Sequence, residues 1–172
     1  DIPLPNTTKA QDATDYTYTR WEELRSYDYG GQYTGPVSGQ TLEIPQLNSG
    51  DTPFSAPALN NDTTRDLIHG YYACVSYVDA QIGRLLNHLK STGMDKNTVV
   101  VLWGDQGFHL GEHGQWCKHT NLEEATKIPL FIKVPWKIGG KQINNLVEAL
   151  DVYPTISNLC GLTPPNKKKK KN

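Results

Sequence analysis

The sequence lacks the features that would define a membrane-anchored, disulfide-rich or zinc-binding protein. No apolar run approaches the roughly 20 residues that span a bilayer, so we expect no membrane anchor. The three cysteines, Cys74, Cys117 and Cys160, form no CxxC pair and no zinc spacing. Because their number is odd, at least one thiol has no partner within the chain. A disulfide framework is therefore not expected.

The chain also lacks an initial methionine, a signal peptide and an internal repeat. A start at Asp1 predicts a processed, cloned or truncated product. The formal net charge is -1, but five of the 17 basic residues lie in the run Lys167–Lys171, and the remaining body carries about -6. An acidic body argues against a nucleic-acid partner. The lysine run is expected to be a solvated tail, residues 166–172.

A chain of 172 residues is long enough for one domain with a real core. Residues 1–60 are rich in proline, glycine and tyrosine and show no sustained periodicity, so we expect an irregular segment that packs on the rest of the protein. Its aromatic residues have two interpretations, packing against a neighbouring surface or a wall for a sugar ring: Tyr16, Tyr18, Trp21, Tyr27, Tyr29 and Tyr33.

Residues 61–165 show an α/β order. Apolar residues at spacings of three and four predict a helix over 62–90, capped by Asp62 or Thr63 and ended at Gly93. Short apolar runs predict a buried strand at 98–103 and a second strand at 127–135. A second helix is expected over 143–159, interrupted or restarted at Pro154. The predicted fold is a mixed sheet flanked by helices, as part of a domain.

Polar side chains cluster directly after the first predicted strand, in the loop 104–118. In α/β sheets ligands gather at the carboxyl ends of strands, which makes this loop a candidate site. Asp105 and Gln106 present adjacent oxygen donors that suit Ca²⁺ or Mg²⁺, although calcium needs roughly six to eight oxygen ligands. Lys118 can hold an anionic group such as sulfate or phosphate. From spacing alone, an Asp-Gln-Gly turn is also explained as a turn without a metal.

The motifs of this loop resemble the second metal-and-sulfate motif of the type I sulfatases, and the resemblance is greatest to the iduronate-2-sulfatase branch and its bacterial relatives. It covers most of residues 64–165 in order and spacing. The matching stretches are Gly104-Asp105-Gln106-Gly107, Leu110-Gly111-Glu112-His113-Gly114, Trp116, Lys118, the helix 71–86, Ala125-Thr126-Lys127-Ile128-Pro129-Leu130 and Leu150-Asp151-Val152-Tyr153-Pro154-Thr155.

The resemblance implies an alkaline-phosphatase-like α/β fold and metal-dependent hydrolysis of sulfate esters on sulfated carbohydrates such as glycosaminoglycans. By position, Asp105 and Gln106 are implied metal ligands for Ca²⁺, with Mg²⁺ as the alternative. Lys118 is the implied catalytic and substrate-binding residue, and His113, with Glu112, shapes the loop or contacts substrate. A secreted, periplasmic or lysosomal location follows from the same resemblance.

The chain departs from the family pattern at two places. Gln106 replaces the usual histidine or asparagine, and its amide oxygen can still bind Ca²⁺. The Cys/Ser-x-Pro-x-Arg motif that yields the family's formylglycine nucleophile is missing, because Ser55-Ala56-Pro57 continues without an arginine. We therefore expect the formylglycine, and the N-terminal half of the same protein as a partner, to lie outside this chain, which alone should be inactive.

Two other functions remain open at the level of sequence. A phosphodiesterase or phosphonate hydrolase of the same superfamily would share the loop but use a different nucleophile. A non-catalytic carbohydrate-binding relative would bind sugar without dependence on metal chelators or on Lys118.

Overall fold

The structure, a computed structural model, describes residues 2–8, 23, 24, 39, 44 and 59–163. Most of the irregular segment 1–60, including its aromatic residues, and the lysine tail lie outside the described residues. The chain divides into two compact units. The first comprises Asp1–Gln81 and Gly104–Pro129, and the second comprises Ile82–Trp103 and Leu130–Asn172.

The longest element is helix α1, Asn61–Ser91, which confirms the helix predicted from periodicity. Its start is capped by Asn60 and not by Asp62 or Thr63 as predicted, since the Asn60 side-chain oxygen accepts a hydrogen bond from the Thr63 amide at 2.8 Å. Gly93 follows its end with a φ of 71°, a left-handed conformation that favours glycine. A short 3₁₀ turn, Met94–Asn97, comes next.

The first unit is built around a small apolar core. Its buried members are Leu24, Ile44, Ile68, Trp116 and Cys117. The second turn of α1 contributes Ile68 to this core, where it is 4% exposed. One turn later Tyr71 stacks on Phe108, with ring centroids 5.3 Å apart. These contacts hold the start of α1 against the polypeptide that follows Gly104.

The rest of the first unit is the candidate loop. It contains strand β2 (His109–Leu110), a 3₁₀ turn (Glu112–Gly114), strand β3 (Trp116–Cys117) and the short helix α2 (Glu123–Thr126). β2 and β3 pair antiparallel, with His109 opposite Cys117 and Leu110 opposite Trp116. The loop is therefore a folded hairpin with a buried side rather than an open connection.

The second unit contains an antiparallel pair of strands, β1 (Val100–Trp103) and β4 (Leu130–Lys133). Val100 lies opposite Lys133 and Trp103 opposite Leu130. The sequence predicted β1 as a buried strand, but Leu102 and Trp103 are exposed, as is Phe131 on β4. Apolar composition identified the strand correctly, but a pair of strands without a covering layer among the described residues does not bury it.

Helix α3, Ala149–Leu159, is shorter than predicted. Residues 143–148 are not helical, and the helix begins where the Glu148 amide donates to the Asp151 carboxylate at 3.1 Å. Pro154 lies inside the helix and does not interrupt it. The prediction of a helix from 143 was wrong because apolar spacing alone does not reveal where the capping contacts form.

Candidate functional site

The turn Gly104–Gly107 is fastened to the segment around α2 by two backbone hydrogen bonds. Gly104 donates to the Pro129 carbonyl at 3.0 Å, and Gly107 donates to the Ala125 carbonyl at 2.9 Å. A Cβ atom added at Gly107 would overlap the Glu124 carbonyl oxygen and approach the Lys127 carbonyl oxygen to 3.0 Å. Glycine is therefore required here by close backbone approach, and this anchored turn fixes the residues between the two glycines.

Asp105 and Gln106 lie between those glycines with exposed side chains. Within the described part of the chain, neither side chain makes a hydrogen bond or an ion pair, so their oxygen atoms are available to a ligand. Their donor chemistry fits a hard cation such as Ca²⁺. However, the described residues contain no group of three or more His, Cys, Asp or Glu side chains arranged to hold a metal. These two residues would supply part of a coordination sphere.

His109 is a buried residue of the hairpin that no sequence motif indicated. Its side chain has no exposed surface, and its Nε2 lies 2.7 Å from the Thr120 hydroxyl. Burial lowers the pKa of His109 below its usual value of 6.5, although Glu124 and Glu112 oppose that shift. Among the described residues, no group forms a hydrogen bond with its buried Nδ1. A neutral His109 therefore ties strand β2 to the turn after Lys118.

Glu112 and His113 are held by contacts within the protein. The Glu112 carboxylate accepts a hydrogen bond from the Leu110 amide at 2.7 Å. The His113 ring Nδ1 donates to the Thr8 carbonyl at 3.0 Å, and the ring Nε2 lies 3.5 Å from the Glu124 carboxylate. His113 also has a left-handed backbone, with a φ of 56°. These contacts favour the loop-shaping role of His113, whereas substrate binding by it stays a prediction.

Lys118 follows a buried residue with an unusual backbone conformation. Cys117 is 1% exposed and has a φ of 66°, so the chain turns sharply just before the lysine. Burial raises the pKa of the Cys117 thiol to about 12, with a further contribution from Glu23. A thiol of this kind stays protonated and serves packing rather than nucleophilic chemistry. The Lys118 side chain that follows is 28% exposed.

The Lys118 ammonium and the His119 ring share one carboxylate. Lys118 Nζ is 3.0 Å from Glu23 Oε1, and His119 Nε2 is 3.0 Å from Glu23 Oε2. Lys118, His119, Thr120 and Asn121 line a shallow surface depression. No sequence signal pointed to Glu23, because it lies in the irregular segment far from the loop. The four residues predicted for the site, Asp105, Gln106, His113 and Lys118, all belong to the first compact unit.

Comparison with known proteins gives matches along most of the chain. A family profile described as Sulfatase matches residues 5–162. A sulfatase of Formosa agariphila is 42% identical over 127 residues, covering 74% of this chain and 24% of that protein. Iduronate 2-sulfatase of Homo sapiens is 28% identical over 194 residues, covering 95% of this chain and 32% of that protein. The chain thus spans a third or less of the length of these relatives.

Two solved structures resemble the fold. A phosphonate monoester hydrolase of Silicibacter pomeroyi has a TM-score of 0.67 and 26% identity, and the match covers 99% of this chain and 30% of that one. A second structure, described as a complex with its substrate D-glucosamine-2-N,6-O-disulfate, has a TM-score of 0.52 and 33% identity over 64% of this chain and 23% of that one. These neighbours confirm the predicted α/β fold of the alkaline-phosphatase type, here as part of a domain.

Within the part of the chain that the structure describes, no helix combines the length and the apolar character needed to span a bilayer. The anchored Gly104–Gly107 turn, the hairpin and Lys118 all lie inside the matched residues 5–162. Because the family profile covers nearly the whole chain, the chain belongs to the sulfatase family.

Proposed function

We propose that the protein containing this chain is a metal-dependent sulfuric ester hydrolase that acts on sulfated sugars. The observation that carries the proposal is the arrangement of the loop 104–118. An anchored glycine turn presents two oxygen donors that have no partner among the described residues, and a sharp turn at Cys117 precedes Lys118, which lines a surface depression. Oxygen donors and a fixed cation on one loop suit the binding of a cation and of an anionic ester.

Lys118 would hold the sulfate group of the substrate and stabilise the negative charge that develops on the oxygen of the leaving group. Such a preorganised cation acts through charge, and removing a comparable donor costs about 10²- to 10³-fold in rate. Asp105 and Gln106 would hold Ca²⁺, or Mg²⁺ as the alternative, through their side-chain oxygens. A bound cation supplies Lewis-acid polarisation of the ester oxygens. The attacking group, a formylglycine, would come from outside these residues.

The proposal is tested with a longer protein that carries this chain within a complete sulfatase domain. The measurement is its hydrolysis of 4-nitrophenyl sulfate. We expect Lys118→Ala and Asp105→Asn each to lower kcat/KM by about 10²-fold or more. EDTA should abolish turnover, and added Ca²⁺ should restore it. Lys127→Ala is the matched control, since Lys127 forms an ion pair with Glu123 in which both side chains are largely exposed. Unchanged activity of the Lys118 variant, or indifference to EDTA, would contradict the proposal.

A second candidate function is hydrolysis of phosphonate monoesters. It is favoured by the structural neighbour of that name, which covers 99% of this chain at a TM-score of 0.67. The same longer protein, assayed with 4-nitrophenyl sulfate and with 4-nitrophenyl phenylphosphonate, separates the two. A higher kcat/KM for the phosphonate would favour this second function.

The finer assignment is also a proposal. Similarity to iduronate 2-sulfatase over 95% of this chain supports a glycosaminoglycan-derived substrate. The second solved neighbour, whose described substrate is a disulfated glucosamine, supports a sulfated amino sugar instead. Release of sulfate from a panel of defined heparan and chondroitin disaccharides would distinguish these substrates. A secreted, periplasmic or lysosomal location would fit either one.

A further inference from the structure

Glu23 lies against the Lys118 side chain on the first compact unit. Its two carboxylate oxygens contact two different groups, Lys118 Nζ and His119 Nε2, each at 3.0 Å. The Glu23 side chain is 14% exposed and that of Lys118 is 28% exposed. A pair with this degree of burial is less screened by water and salt than a pair on the open surface. The charge of Glu23 therefore acts on anything that Lys118 binds.

The position of Glu23 is set by the core. The next residue, Leu24, is 5% exposed and belongs to the cluster that also contains Trp116 and Cys117. Those two residues directly precede Lys118 in the chain. One apolar cluster therefore contains the chain neighbours of both partners of the ion pair, which places the carboxylate beside the ammonium. Glu23 is thus part of the surroundings of Lys118.

The ion pair leaves Lys118 able to bind an anion but disfavours a ligand that carries a second negative charge. A lysine ammonium has three N–H donors, so the contact with Glu23 leaves two for the oxygens of a ligand. The negative charge of Glu23 nevertheless repels each negative charge that the ligand brings. A sulfate monoester carries one such charge, whereas a phosphate monoester carries close to two above its second pKa of about 6. Glu23 repels the second charge of a phosphate monoester. The loop 104–118 carries no second cation of fixed charge to offset that repulsion.

We propose that Glu23 is a specificity-determining residue that makes the Lys118 site favour singly charged esters over doubly charged phosphate monoesters. The inference rests on the proposed function, because it requires that Lys118 binds the anionic group of the ester. It concerns the charge of the ligand and not the identity of its central atom. Dimethyl phosphate, with one charge, should therefore behave like methyl sulfate.

The test is a binding titration of the 172-residue chain with methyl sulfate, dimethyl phosphate and methyl phosphate at pH 8 and constant ionic strength. Chemical shifts of the amides 118–121 report occupancy of the depression. A unit charge about 6 Å from the second ligand charge, at an effective dielectric constant of about 60, changes affinity roughly fivefold. We expect Glu23→Gln to lower the preference for methyl sulfate over methyl phosphate by about that factor.

Two variants serve as controls. Glu23→Asp keeps the charge and should keep the preference. Glu123→Gln removes a charge from the exposed Glu123–Lys127 pair of the same unit and should also leave the preference unchanged. Glu23→Ala, with the same expected result as Glu23→Gln, replaces the glutamine variant where that variant does not fold.

The outcomes separate the inference from the function on which it rests. If Glu23→Gln changes the affinities for all three ligands by the same factor, Glu23 has only a structural role and the inference is wrong. If binding depends on Lys118 and the preference for methyl sulfate does not change, the inference alone fails. If Lys118→Gln leaves binding of all ligands unchanged, the anion site is not at Lys118, and the proposed function fails with the inference.

Discussion

Replacing Gly107 with alanine should disrupt the candidate site through a clash with the backbone. The new Cβ would overlap the Glu124 carbonyl oxygen and lie 2.9 Å from the Glu124 carbonyl carbon and 3.0 Å from the Lys127 carbonyl oxygen. All three atoms belong to the backbone, so no side-chain rotation relieves the overlap. Either the turn must move away from α2 or α2 must shift.

The magnitude follows from two contributions. Overpacking of a close contact costs about 1–3 kcal/mol. Separation of the turn from α2 also breaks the 2.9 Å hydrogen bond from Gly107 to Ala125, which contributes about 1 kcal/mol. The expected destabilisation is therefore about 2–4 kcal/mol, which corresponds to roughly 30- to 1,000-fold more frequent opening.

Native-state amide hydrogen exchange measures this opening locally. The Gly111 amide, which donates to the Gln115 carbonyl at 2.9 Å, and the Gly107 amide report on the hairpin and on the turn. Gly70→Ala is the matched control, since a Cβ there meets nothing within 4 Å and glycine is unfavourable in a helix interior by about 1 kcal/mol relative to alanine. Exchange of both reporter amides within twofold of the wild type in Gly107→Ala would refute the close-approach argument.

Three further outcomes are expected of the 172-residue chain. Burial lowers the pKa of His109 in the folded state, so the unfolded state binds a proton first as the pH falls below 6.5. The urea midpoint of the chain should therefore decline between pH 7.5 and 5.5, and it should decline less in His109→Gln. Equal declines in the two proteins would contradict this. At pH 8 a thiol reagent should label the exposed Cys74 and Cys160 quickly and Cys117, with its pKa of about 12, only after denaturation, whereas three fast thiols would show that Cys117 is accessible. The chain alone should not hydrolyse 4-nitrophenyl sulfate, and turnover that purifies with it would overturn that expectation.

The sequence by itself determined the elements that depend on local interactions. Periodicity placed α1 within a residue at each end, because an apolar stripe and a glycine in the left-handed conformation are local signals. The apolar runs located β1 and β4 for the same reason. The motifs around Gly104–Gly107 and Lys118 were sufficient to indicate the family, which the match over residues 5–162 shows.

Only the tertiary structure decided which groups surround these residues. Glu23 lies beside Lys118, and Leu24 belongs to the same apolar cluster as Trp116 and Cys117; no local pattern links two segments so far apart in the chain. Nothing in the sequence around His109 predicts that it is buried, yet its side chain is completely buried in the hairpin. Apolar periodicity predicts which face of a helix favours burial, but it does not specify which element packs on that face. Residues on α1 such as Val75 and Leu85 are exposed. Long-range packing depends on many residues acting together. It determines which charged groups lie near the site and how deeply the site residues are buried.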